Sequence, residues 1–126
     1  MDLKNLRTDA TKEVEGVWVD IGEGAEILVA RMNNPRFLRV LAKHRKPLGR
    51  RVDRSTELQE STMRLAIRDA ILLDWKGMTD GGKSLPYNAT NCLEALEVRE
   101  FANIVVQAAE DFDAYLAEEE EADEGN

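Results

Sequence analysis

The stretch from Gly16 to Met32, GVWVDIGEGAEILVARM, constrains the fold most. Val17, Val19 and Ile21 alternate with Trp18 and Asp20, so they define the two faces of an extended strand. The apolar, β-branched run AEILVARM follows across GEG, whose glycines tolerate positive φ. Two short strands joined in this way predict a β-hairpin. A lone hairpin is marginal in water, so it has to pack on helices or on another chain.

The rest of the chain reads as helical. Asn34 is placed to cap a helix that starts at Pro35 and carries Phe37, Leu38, Val40 and Leu41 as its apolar stripe. Pro47 and Gly49 end it. Ser55 or Thr56 caps a second helix, expected to run to about Trp75, in which Leu58, Leu65 and Leu72 recur every seven residues. Asn88 caps a short helix through Leu96. A last helix is expected over EVREFANIVVQAAEDFDAYLAEEEE, with Val98, Phe101, Ala102, Val105, Ala108, Ala109, Phe112, Tyr115 and Leu116 on its inner stripe. The predicted fold class is therefore mainly α (α+β), an N-terminal β-hairpin followed by a bundle of about four helices. The expected organisation is a flexible N-terminus over 1–14, one domain over 15–117 and an acidic, disordered tail over 118–126 that folding does not need.

Charge is unevenly distributed. Between Arg31 and Arg54 there are nine basic residues against one acid, Asp53; from Glu110 onward there are nine acids and no base. The formal net charge is −8, and 43% hydrophobic with 33% charged residues is the composition of a soluble globular domain. One cysteine, Cys92, excludes an internal disulfide and a cysteine metal cluster. No apolar run reaches the ~20 residues of a membrane span. The polar start lacks the apolar region of a signal peptide, which points to the cytoplasm.

GMTDGGKS, Gly77 to Ser84, fits the phosphate-binding pattern GxxxxGK[ST]. A working P-loop follows a buried strand and opens a helix, with its amides converging on phosphate. Here the preceding RLAIRDAILLDWK has a helical pattern, although AILLDW alone also fits a strand, and Pro86 pushes Leu85 away from helical angles. The segment therefore reads as a glycine-rich turn between helices. His44, Cys92, the serines and the carboxylates form no recognisable catalytic constellation, so no enzyme, metal, nucleotide or cofactor is expected.

VWVDIGEGAEILVARMNNPRFLRVLAKHRKPLGR, then AILLDWKGMTDGGKSLPYNATNCLEAL, then EFANIVVQAAEDFDAYLAEEEE, together resemble the tail assembly chaperones of long-tailed phages with non-contractile tails, over roughly Val17 to Glu121. The resemblance implies that LLDW ends a helix and that the glycine-rich segment is a plain connector. It departs from the family at LEVREF, which lacks the proline-containing break often found there and leaves the start of the last helix open. The implied role is non-enzymatic: binding the aggregation-prone tape measure protein, helping to recruit tail tube protein, and leaving before the tail matures. The implied partners are those two proteins, a frameshifted long form of the chain and further copies of itself, in the host bacterial cytoplasm. The expected partner-binding residues are Trp18, Ile104 and Val106, apolar positions outside the core stripes, and Arg36, Arg39 and Lys43, which could steer an acidic partner. Two other functions compete: a small nucleic-acid-binding or regulatory protein using residues 31–54, and a phage head–tail adaptor. Aromatic residues for base stacking are sparse in the basic segment and the net charge opposes nucleic acid, so that binding is disfavoured.

Overall fold

A computed structural model describes residues 1–117; the expected acidic tail over 118–126 lies outside the described residues. The hairpin forms as β1 (Val17–Gly22) and β2 (Ala25–Val29). Gly22 pairs with Ala25, so the turn is two residues, Glu23 and Gly24. Both have positive φ (54° and 79°), the signature of a type I′ turn that matches strand twist. Ala25, Ile27 and Val29 are buried, while Trp18 and Asp20 face away from the core.

A third strand, β3 (Leu72–Lys76), completes the sheet in the order β1-β2-β3, all antiparallel. It sets Ile27 opposite Trp75 and Val29 opposite Leu72. This corrects the expected helix to Trp75. That helix, α3 (Thr56–Ala70), stops when Ile71 turns out at φ −119°, and LLDW is a strand rather than a helix end. The physical reason is the open edge of β2. Its inner side chains are fully buried, so its outer edge needs hydrogen-bond partners, and Leu72 to Lys76 supply them.

The helices after the hairpin are α2 (Pro35–Arg45), α3, α4 (Ala89–Leu96) and α5 (Arg99–Glu110), in line with the expected bundle. The caps read from the sequence form. Asn34 Oδ1 accepts from Phe37 N at 3.0 Å, Ser55 Oγ from Leu58 N at 3.1 Å, and Asn88 Oδ1 from Asn91 N at 2.8 Å. One core joins Ile27 and Val29 of the sheet to Phe37, Ala66, Ile67, Leu96, Val105 and Ala109 of the four helices. Leu38, assigned to the inner stripe of α2, points outward instead. His44 Nε2 meets Asp69 Oδ2 at 2.8 Å and ties α2 to α3.

Short elements form at both ends of the described chain. The N-terminal residues contain a 3-10 turn (Leu3–Leu6) and α1 (Ala10–Glu15), capped by Asp9. Asp9 N donates to Tyr115 O at 2.8 Å, and Glu13 pairs with Arg31 at 3.0 Å. The last helix ends at Glu110 rather than continuing to the acidic run. Asp111 takes an extended backbone and caps a separate 3-10 turn, Phe112–Tyr115. A short polar side chain that bonds nearby amides competes with the helix in this way. Tyr115 is fully buried and its hydroxyl donates to Val29 O at 3.0 Å.

Candidate partner-binding surface

The P-loop-like segment folds as a second hairpin, β4 (Thr79–Asp80) and β5 (Lys83–Ser84), not as a connector between helices. Thr79 pairs with Ser84 and Asp80 with Lys83. Gly81 and Gly82 form the turn, both at positive φ (60° and 82°), and Leu85 N donates to Met78 O at 2.9 Å. The backbone of the motif is thus engaged across its own ladder, whereas a P-loop converges its amides on an anion. Its first glycine has a packing role. Gly77, at φ +73°, lies so close to the first hairpin that a Cβ there would stand 2.2 Å from Gly24 O.

The segment after this hairpin is held to β3 by aromatic residues. Trp75 Nε1 donates to Leu85 O at 2.8 Å and Tyr87 Oη to Leu72 O at 2.6 Å. Trp75 meets Tyr87 and Phe101 edge-on, with ring centroids 5.1 and 6.2 Å apart. Burial raises the Tyr87 hydroxyl above its usual range and pushes the Cys92 thiol up to about 11. Cys92 is therefore a protonated core residue at neutral pH.

These contacts leave α5 as a ridge with a groove on either side. One groove, about 380 Å³, lies between α5, α4 and the β4–β5 hairpin; Met78, Leu85, Ala95, Val98 and Phe101 supply its apolar wall. The other, about 620 Å³, lies between α5 and α3; Met63, Ile67, Ala102 and Val106 form its floor and Glu60, Arg64 and Arg99 lie among its polar residues. Val98 is 57% exposed and Ile104 39%.

The six residues singled out from the sequence occupy three separate places. Val106 and Ile104 lie on opposite flanks of α5, because two residues advance a helix by ~200°; Val106 lines the larger groove and Ile104 faces outward. Trp18 is on the outer face of the sheet, away from the helices, with Lys76 Nζ 4.0 Å above its ring. Arg36, Arg39 and Lys43 lie along the exposed side of α2. Sequence reasoning missed the groove beside the glycine-rich hairpin. Its signal was the spacing of Met78 and Leu85 around a two-glycine turn, which brings both to one side of a hairpin.

Fold and surface together define a small α+β domain with a grooved helical face. A family model described as YdaY prophage protein matches residues 32–126, about three quarters of the chain, and the chain belongs to that family. It is a phage-derived protein. No curated protein and no solved structure matches it significantly. Among the described residues, no helix is long and apolar enough to cross a membrane.

Proposed function

We propose that this protein is a non-enzymatic tail assembly chaperone that acts in the host bacterial cytoplasm and holds the tape measure protein while tail tube subunits are recruited. The observation that carries this reading is the pair of grooves beside α5, each with an apolar wall or floor, with Val98 and Ile104 exposed near them. A tape measure protein is long and helical and exposes apolar stripes until the tube covers it. An amphipathic helix lays such a stripe into a hydrophobic groove, with anchors one helical turn apart. Membership of a prophage family and the sequence resemblance support the same role. Self-association through the outer face of the sheet, around Trp18, is part of the proposal.

Co-expression with the tape measure gene of the same prophage tests it. The wild-type chain should keep the tape measure protein soluble and co-purify with it. Burying a side chain of this size contributes roughly 1.5–3 kcal/mol. Ile104→Asp, and Val106→Asp in the groove, should therefore yield folded proteins that lose most of this activity. Trp18→Asp should fold and lower the oligomeric state. A tape measure protein that stays insoluble beside the wild-type chain would refute the function, and full activity in both α5 variants would refute the surface.

A further inference from the structure

We propose that the chain self-associates by strand addition at the edge of β1, where the β1 of a second copy pairs antiparallel and joins the two sheets into one. The inference rests on the self-association proposed above and names the seam that makes it. In the order β1-β2-β3 the two edges of the sheet are unlike. On the β3 side the segment after the second hairpin lies against the strand, with Trp75 Nε1 donating to Leu85 O at 2.8 Å and Tyr87 Oη to Leu72 O at 2.6 Å. On the β1 side, among the described residues, no backbone group of Val17 to Ile21 bonds outside the β1–β2 ladder. Every second residue of such a strand turns its N–H and C=O to the open side, a template for another strand. The devices that blunt an edge are missing from β1. It holds no proline, no lysine and no inward-facing charge, and its register with β2 is regular until it shifts between Asp20 and Gly22 at the turn. Its inner face is also unfinished. Among the described residues β2 is the one element that β1 packs against extensively, and Val17, Val19 and Ile21 stay half-buried beside the buried Ala25, Ile27 and Val29.

The strand is complementary to itself. A twofold axis perpendicular to the sheet keeps the helices of both copies on one side, so residues opposite each other face the same way. The register that pairs Val17 to Ile21 in full is centred on Val19. It sets Val17 opposite the partner's Ile21 and Trp18 opposite the partner's Asp20. On the inner face the half-buried Val17, Val19 and Ile21 of the two copies then form one apolar strip. On the outer face the charges match. Asp20 stands opposite Glu26 in its own sheet, a like-charged pair. Lys76 Nζ stands 4.0 Å from the centre of the Trp18 ring, so a cation waits where the partner's Asp20 arrives. Trp18, 39% exposed in the single chain, is covered at the same seam.

Two short strands make a small seam, so the dimer should dissociate in the micromolar range. Sedimentation of the 126-residue chain from about 1 to about 200 µM should show a monomer–dimer equilibrium. Amide exchange followed by NMR should show alternate amides of Val17 to Ile21 gaining about tenfold protection over that range. Val19→Cys meets its own copy with Cβ atoms about 5 Å apart, and mild oxidation should link it into a dimer. Asp20→Cys lies about 8 Å from its copy in this register and should stay unlinked. The native Cys92 is buried and does not compete. Val17→Lys, an inward-facing lysine at the edge, should weaken the dimer about tenfold or more, with circular dichroism confirming the fold. A chain that stays monomeric throughout would overturn the proposal together with the self-association above and leave the edge to a strand of another protein. The holding of tape measure protein is read separately, by the co-expression. A dimer in which Val19→Cys does not link, or in which the edge amides exchange at rates independent of concentration, would overturn the edge alone. Val19 and Trp18 point to opposite faces of the sheet, so stacking through the outer face produces neither signal.

Discussion

Replacing Gly77 with alanine tests whether GMTDGGKS is a structural hairpin or a phosphate site. Gly77 has φ +73°, and a Cβ built on it would lie 2.2 Å from Gly24 O, 3.1 Å from Gly24 C and 3.2 Å from Ala25 Cα. All three neighbours are backbone, so no side-chain rotation relieves the clash. Gly24 cannot give way cheaply, because it sits at φ +79° in the type I′ turn that sets the register of β1 and β2. Moving Gly77 instead pulls on the adjacent Glu26–Lys76 pair at the end of β3. The left-handed conformation alone costs alanine ~1–2 kcal/mol, and relieving a backbone overlap brings the expected loss to roughly 2–4 kcal/mol. For a domain of this size that lowers the melting temperature by on the order of 10 °C. Gly81→Ala and Gly82→Ala have open space around the added methyl and should each cost only ~1 kcal/mol, from φ. Lys83→Ala, on the exposed β5, should change stability by less than ~0.5 kcal/mol. Thermal and urea denaturation followed by circular dichroism give the stabilities, and calorimetry with magnesium ATP gives the binding. A Gly77→Ala loss below ~1 kcal/mol would refute the close packing of the two hairpins. Micromolar ATP binding that disappears in Lys83→Ala would refute the hairpin reading of the motif.

Tyr115→Phe removes the hydroxyl that donates to Val29 O and should cost ~1 kcal/mol at neutral pH in urea titrations. Burial pushes the Tyr115 hydroxyl up to about 12 from 10.0, so the stability held below pH 10 should fall as pH rises toward 12, and less steeply in Tyr115→Phe. Cys92, raised to about 11 by burial, should resist iodoacetamide at pH 8 in the native protein and react on unfolding in urea, as mass spectrometry would show. Burial alone would raise the Asp69 carboxyl, but hydrogen bonds from Arg68 and His44 outweigh it and hold it below its ordinary 3.8. The stabilisation is therefore present above pH 3.8 and lost as pH falls further, so Asp69→Asn should lower the melting temperature at pH 7 and converge with wild type in acid.

What the sequence made legible was local chemistry, and what it concealed was competition between elements. Asn34, Ser55 and Asn88 were readable as caps because a side-chain oxygen meets an amide only two or three residues on, which needs no knowledge of the fold. The same locality made the β1–β2 hairpin readable from alternation and glycine. Leu72 was ambiguous for a physical reason. It continues the seven-residue spacing of Leu58 and Leu65, so it fits an inner helical stripe, and it equally fits a buried strand position opposite Val29. Helical periodicity loses there because β2 is central and its second edge would otherwise leave buried backbone groups unpaired. That requirement is carried by Ile27 and Val29, more than forty residues earlier, and no window around Leu72 contains it. Tyr115 is the converse case. Its spacing from Phe112 and Leu116 fits a helix, yet Asp111 stops the helix and Tyr115 is buried against Val29 O from a 3-10 turn. The exposed positions were less legible still. Leu38 reads as core and is outside, while Ile104 and Val106 both read as apolar positions outside the core stripe and lie on opposite flanks of α5. Periodicity can name the apolar side of a helix, but where that side faces solvent depends on which neighbours arrive, and for α5 those are α4 and β2, which lie outside its own sequence window.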